Sequence, residues 1–144
     1  MMKGACTTGM GIVFLSFSLA CEPTEELSIS ESRKGAMVYI ISPEDGAVVS
    51  DTFIMRFGLK GMGIAPAGTA VANTGHHHLL VDAETLPPLD QPMLDQVQHF
   101  GLGQTESFIT LPPGEHTLQL ILGDKFHTPH DPPLIGERIT IIVQ

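Results

Sequence analysis

Seven histidines are the residues of this 144-residue chain whose type and spacing could support chemistry. All of them lie in the second half of the sequence, at positions 76, 77, 78, 99, 116, 127 and 130. A neutral imidazole has a free nitrogen lone pair, so it can bind a metal ion without first losing a proton. The concentration of histidines therefore indicates metal binding as the chemistry to consider first.

The spacing of these histidines predicts which of them could share an ion. His76 and His78 lie two residues apart in a stretch typical of a β-strand, so they point to one face while His77 points to the other. His127 and His130 are three residues apart in a proline-containing loop. Two strand and two loop histidines could form a site of three or four nitrogens suited to copper or, as the alternative, zinc. The candidate ligands are His76, His78, His127 and His130, and the further candidates are His77, His116 and His99.

Other side chains could complete such a site. Asp124, Asp131 or Met62 could add a ligand, and a thioether ligand would favour Cu(I). His116 alternates with the leucines of its predicted strand, so it could face the core and orient a ligand from there. The alternative interpretation of the histidines is structural: their ring nitrogens are satisfied by hydrogen bonds to neighbouring groups and hold the loops in place.

The elements that must position these histidines are predicted to be short strands. Period-two alternation and turn residues predict strands at 36–42, 52–59, 75–82, 107–111, 116–122 and 138–143. No segment has a convincing helical period, and the prolines at 87, 88 and 92 leave room for at most a short helix in 89–100. We therefore predict an all-β fold, a small antiparallel Ig-like β-sandwich.

The N-terminus predicts export. Residues 1–20 have the basic, apolar and small-residue order of a signal peptide. Cys21 follows directly, and Ser-Leu-Ala-Cys resembles a bacterial lipobox in which this cysteine is lipidated; ordinary signal cleavage is the alternative. The polar residues 21–35 then form a tether, and residues 36–144 form a single sandwich domain. The expected location is the periplasm or the outer membrane as a lipoprotein, or the medium as a secreted protein, with contact to a membrane only through the lipid on Cys21.

Composition disfavours several function classes. Sixteen acidic and seven basic side chains give a net charge of −9, which argues against nucleic-acid binding. No nucleophile lies in a nucleophile-elbow pattern, and there is no Walker loop or dinucleotide-binding glycine pattern. The sequence therefore disfavours an enzyme, although a metal with an open coordination position could catalyse a reaction.

Four segments together resemble a known family. They read GHHHLLVD at 75–82, HFGLGQTE at 99–106, LPPGEHTLQL at 111–120 and HTPHDPP at 127–133. This combination is similar to a family of exported bacterial proteins catalogued as a domain of unknown function, with a resemblance from about Ala36 to the C-terminus. The resemblance implies a small exported domain built around the GHHHLL strand, and it implies no activity. The chain departs from it at Ile135 and Gly136, outside the histidines.

Two functions from different classes are therefore expected. The first is an exported, membrane-tethered metal-binding protein that handles copper, or alternatively zinc, for storage, delivery or protection. The second is a non-catalytic structural or interaction module of the cell envelope, whose histidine cluster is a hydrogen-bonded network.

Overall fold

The computed structural model describes residues 28–144 of the chain. The predicted signal peptide and Cys21 lie outside these residues. Residues 28–144 contain strands, turns and loops and no helix, so none of this part offers a helical segment able to cross a membrane.

The strands of residues 28–144 carry the labels β1 to β9 in chain order. They are β1 Met37–Ser42, β2 Val48–Val49, β3 Thr52–Lys60, β4 Gly63–Ile64, β5 Thr74–Val81, β6 Gln98–His99, β7 Glu106–Thr110, β8 Gly114–Gly123 and β9 Ile139–Val143.

The strands form two sheets. One has three antiparallel strands in the order β1-β3-β7, and the other follows the order β2-β9-β8-β5-β4, with β6 paired to β5. Pairing is antiparallel except at β2 with β9 and at β4 with β5. The predicted all-β, Ig-like sandwich architecture is confirmed, and each of the six predicted strands has a counterpart. The segment 89–100 contains the short strand β6 where at most a short helix was expected.

Side-chain alternation builds the core between the sheets. Phe53, Met55 and Phe57 of β3 are buried, as their spacing predicts, and the exposed Arg56 points outward. Leu79 of β5 and Ile141 of β9 face the same core from the second sheet. Burying such side chains contributes about 1.5–3 kcal/mol each, so the core fixes which residues of β5 face inward.

The outer face of the larger sheet is also covered. Leu80 of β5 and Ile121 of β8 are fully buried, although neither belongs to the core between the sheets. Met93, from the long loop between β5 and β6, is buried as well, and its N–H donates to the carbonyl of His127 at 3.0 Å. A second buried layer therefore lies between this sheet and its loops.

Part of the predicted tether lies against the domain. The Ser32 N–H donates to the Asp131 carbonyl and the Asp131 N–H donates to the Ser30 carbonyl, both at 3.0 Å. The Ser30 hydroxyl donates to the Asp124 carboxylate at 2.7 Å. These contacts attach residues 30–32 to the loop that follows β8.

Candidate metal centre

Four histidines from three places in the chain form one group on the outer face of the larger sheet, with two members buried and two reaching the surface. Each offers a ring nitrogen, and these nitrogens all lie within 4.8 Å of one another. The members are His76, His78, His99 and His127. They are referred to below as the four-histidine group.

The pairing of β5 with its neighbours places three of the four. His76 and His78 share a face of β5 because side chains alternate along a strand. Since Leu79 faces the core, this shared face is the outer one. His78 pairs with His99 across the antiparallel β5–β6 ladder, which brings a histidine distant in sequence beside the other two.

The fourth member, His127, is held by a tight loop organised by Asp124. One carboxylate oxygen of Asp124 accepts hydrogen bonds from the N–H groups of Phe126 and Thr128, at 2.8 and 3.0 Å. The His127 N–H donates to the Asp124 carbonyl, and His127 has a φ of 67°. A non-glycine residue in this left-handed region is uncommon and costs on the order of 1–3 kcal/mol, which often marks a functional position.

Two glycines leave the space that the imidazoles fill. A Cβ on Gly123 would lie 2.5 Å from Cε1 and 2.9 Å from Nδ1 of His78. A Cβ on Gly101 would overlap the ring of His99. Any larger residue at these positions would therefore displace an imidazole of the group.

The distances within the group are close to those of a metal site. The ring centroids of its six pairs are 4.6–5.8 Å apart. In a tetrahedral site with metal–nitrogen bonds of about 2.0–2.1 Å, ligand nitrogens lie about 3.3 Å apart. The nitrogens of His76 and His127 are already at 3.1 Å, where one ring N–H donates to the other ring. Small side-chain movements would bring all four nitrogens to bonding distance.

Burial favours the neutral form of His76, His78 and His99. The pKa of His78 is lowered to about 3 and that of His76 to about 4, chiefly by burial and in addition by the neighbouring histidines. Burial and His127 also lower the pKa of His99. Unprotonated imidazole is the form that binds metal, so the lone pairs are available at neutral pH.

The group has one closed and one open side. His78 is fully buried, and neither of its ring nitrogens has a hydrogen-bond partner. His99 is exposed and His127 is partly exposed. An ion could therefore enter from the side of His99 and reach the unpaired nitrogens of His78, whereas the bond between His76 and His127 would have to open.

The structure does not bring His130 or His77 into the group, although both were candidate ligands. His130 is buried with its ring nitrogens facing the Thr74 and Leu122 carbonyls, at 3.2 and 3.5 Å. His77 points to the opposite face of β5, where its ring packs 5.1 Å from that of Phe57.

His116 lies at the far end of β8 and has a separate role. Its Nδ1 pairs with the Asp82 carboxylate at 2.6 Å and its Nε2 faces the Pro112 carbonyl at 2.9 Å. These two contacts raise the pKa of His116, the bond to Asp82 contributing most. Both nitrogens are occupied, so this histidine fastens the turn before β8 to the end of β5.

The proposed auxiliary ligands are placed elsewhere. The Asp124 carboxylate is occupied by Ser30 and by backbone N–H groups of its own loop. Asp131 is exposed, and Met62 packs against the core between the sheets.

Sequence reasoning missed the roles of Gly101, Gly123 and Met93. Gly101 lies within the quoted segment 99–106 and Gly123 lies between the segments 111–120 and 127–133, and a glycine near a cluster of bulky rings signals close packing. The pairing that made His99 a member could not be read from local spacing, because His99 is 21 residues from His78 in the chain.

The fold and the site together define a β-sandwich domain with a candidate metal centre on the outer face of one sheet. The chain belongs to the family described as a domain of unknown function, DUF4399, whose sequence profile matches residues 55–144. This confirms the resemblance inferred from the sequence.

Comparison with other proteins adds little beyond the family. No curated protein matches the chain significantly. Among solved structures, the fibronectin(III)-like modules of Clostridium thermocellum CbhA are similar, with 13% identity over 74% of this chain and 93% of that chain and a TM-score of 0.37.

The buried histidines predict that the metal-free protein loses stability in acid. Burial lowers the pKa of His77 to about 4, so between pH 6.5 and 4 the unfolded chain binds a proton that the folded chain does not. This one residue should lower the free energy of unfolding by about 2 kcal/mol at pH 5 relative to pH 8. Urea unfolding measures this effect. The loss of unfolding free energy between pH 8 and pH 5 should be smaller in His77→Leu than in the wild type by about that amount.

His116→Gln is the matched control, because the pKa of His116 is raised and its pairing stabilises the folded state at low pH. The control should show a larger loss of stability on acidification than the wild type. The buried ring nitrogens of His77 have no hydrogen-bond partner. Equal pH dependence in the wild type and His77→Leu would contradict the assignment of a neutral His77.

The glycine next to His78 yields a second prediction. Gly123→Ala should displace the His78 ring and weaken Cu(II) binding at least about tenfold, an effect typical of residues that support metal ligands. Gly63→Ala is the control, since the nearest atom to its new Cβ would be at 3.4 Å, an ordinary contact. Calorimetric titration measures the Cu(II) affinity of both variants, and thermal unfolding verifies that both variants fold. Equal Cu(II) affinities in Gly123→Ala and Gly63→Ala would show that His78 is not a ligand.

Proposed function

We propose that this protein is an exported metal-binding protein that takes up copper, with zinc as the alternative ion, for storage, delivery or protection. The proposal depends chiefly on one observation, the convergence of four histidine nitrogens within 4.8 Å. Two of these histidines are buried and at the pKa values given above are neutral at physiological pH, as metal ligands must be.

The donor set supports copper over zinc. Within residues 28–144 the group contains imidazoles and neither a thiolate nor a carboxylate. Imidazole suits both ions, and for one set of nitrogen ligands Cu(II) binds more tightly than Zn(II). Copper is therefore the ion that this group is expected to retain when both are present.

Storage or delivery fits the accessibility of the group. His99 is exposed, so one ligand can be exchanged at the surface without opening the sandwich. The chain carries a net charge of −9, which raises the local concentration of cations.

The alternative function is a structural cluster, which the bond of 3.1 Å between His76 and His127 favours. Such a network would be expected to satisfy its buried polar atoms, since an unpaired one costs about 1–3 kcal/mol. His78 has two buried ring nitrogens without a partner. A bound ion would satisfy one of them. His77 also has two unpaired ring nitrogens, on the face of β5 away from the group, so our preference for metal binding rests on His78 together with the convergence of the four histidines.

The location is part of the same proposal. Residues 1–20 are the basis for export, and Cys21 is the basis for attachment to a membrane through a lipid. Residues 30–32 are attached to the loop that carries His127, so a lipid on Cys21 would be joined to the metal-binding side of the domain through the intervening residues.

Metal titration tests the central proposal. Calorimetry of the full chain should give one Cu(II) per chain with a Kd below roughly 0.1 mM, which corresponds to about −5.5 kcal/mol. His78→Ala and His99→Ala should each weaken binding at least about tenfold, or about 1.4 kcal/mol. His99→Ala removes an exposed side chain, so its effect cannot be attributed to a damaged core.

His116→Ala is the matched control, because it removes a histidine that lies outside the group. It should leave the affinity unchanged. If the wild type binds neither Cu(II) nor Zn(II), or if all three variants bind equally well, the group is structural and the alternative function is correct.

The anchor is tested by Cys21→Ser. If Cys21 is lipidated, the wild type should fractionate with membranes and the variant should be released into the soluble fraction. Cys6→Ser is the control and should not change the distribution, because Cys6 would be removed with the signal peptide. A wild type that is already soluble would contradict the lipid anchor.

A further inference from the structure

Met93 is one of two buried residues, with Pro87, in the largely exposed loop between β5 and β6. Its side chain is 5% exposed, whereas the adjacent Leu94 is 72% exposed. Leu86 and Leu89 of the same loop are also exposed. A loop that only had to cover an apolar surface could have buried a leucine at equal benefit, because both side chains bury similar apolar area. The burial of the methionine therefore calls for a specific explanation.

Met93 lies beside the four-histidine group. Its Cε is 3.0 Å from the point that a Cβ on Gly123 would occupy, and Nδ1 of His78 is 2.9 Å from the same point. The two side chains therefore border the same small space above Gly123. The backbone of Met93 is bonded to that of His127, so the loop position is tied to a second member of the group.

We propose that Met93 adds a thioether ligand to the four-histidine group and enables this site to bind Cu(I) as well, an inference that rests on the proposed function. A thioether is a soft ligand, and soft ligands select Cu(I), whereas imidazole alone also suits Zn(II) and Cu(II). A histidine set with an adjacent thioether can hold copper in both oxidation states, and the sulfur is needed for the reduced one.

The position of Met93 agrees with this role. It adjoins His78, a fully buried member of the group, and is itself buried. A soft ligand inside and an exchangeable imidazole at the surface would retain Cu(I) while leaving one side open for transfer. Met62, the methionine that the sequence suggested, packs against the core between the sheets.

The test is Met93→Leu in the full chain, compared with Met62→Leu. Leucine has a similar volume, so the exchange should cost less than about 1.5 kcal/mol and leave the loop in place, which thermal unfolding verifies. Competition with a Cu(I) chelator should show at least tenfold weaker Cu(I) binding in Met93→Leu. Cu(II) and Zn(II) affinities should stay unchanged, and Met62→Leu should match the wild type for all three ions.

X-ray absorption at the copper edge gives an independent readout. Sulfur scattering should be present in the Cu(I) wild type and absent from Met93→Leu. Unchanged Cu(I) affinity, or an equal weakening for all three ions, would overturn the proposal and leave Met93 as an apolar cover. In both cases the wild type still binds Cu(II) or Zn(II), so the proposed function survives. A wild type that binds none of the three ions would overturn the proposed function and this inference together.

Discussion

The register of β5 against its neighbours is the constraint on which the site depends. Burial of Leu79 in the core turns His76 and His78 outward, and pairing with β6 sets His99 beside them. A slip of one residue would exchange the faces and move all the side chains of the strand to the other side. The core therefore determines which histidines form the candidate centre, although the core side chains of β5 lie on the opposite face of the strand.

Burial makes the imidazoles of the group available as metal ligands and at the same time destabilises the metal-free protein. Desolvation lowers the pKa of His78 to about 3, which leaves a free lone pair and also an unsatisfied polar ring. Burial of these histidines also destabilises the metal-free protein in acid, because the unfolded chain binds protons that the folded chain does not bind. Binding of an ion to the folded state alone would offset this cost by mass action.

The sequence allowed the sandwich and part of the site to be predicted. Period-two alternation located the strands and the shared face of His76 and His78, since both follow from local geometry. The membership of His99 follows from long-range pairing, which local spacing does not encode. His130 was expected to act with His127, but the loop organised by Asp124 directs His127 to the group and leaves His130 facing backbone carbonyls.

A crystal structure of the copper-loaded chain, with anomalous diffraction recorded at the copper absorption edge, tests the central claim most directly. The account predicts one strong anomalous peak among the rings of His76, His78, His99 and His127, at about 2 Å from their nitrogens. A peak at any other position, or rings that keep the hydrogen bond between His76 and His127 in the presence of copper, would contradict it.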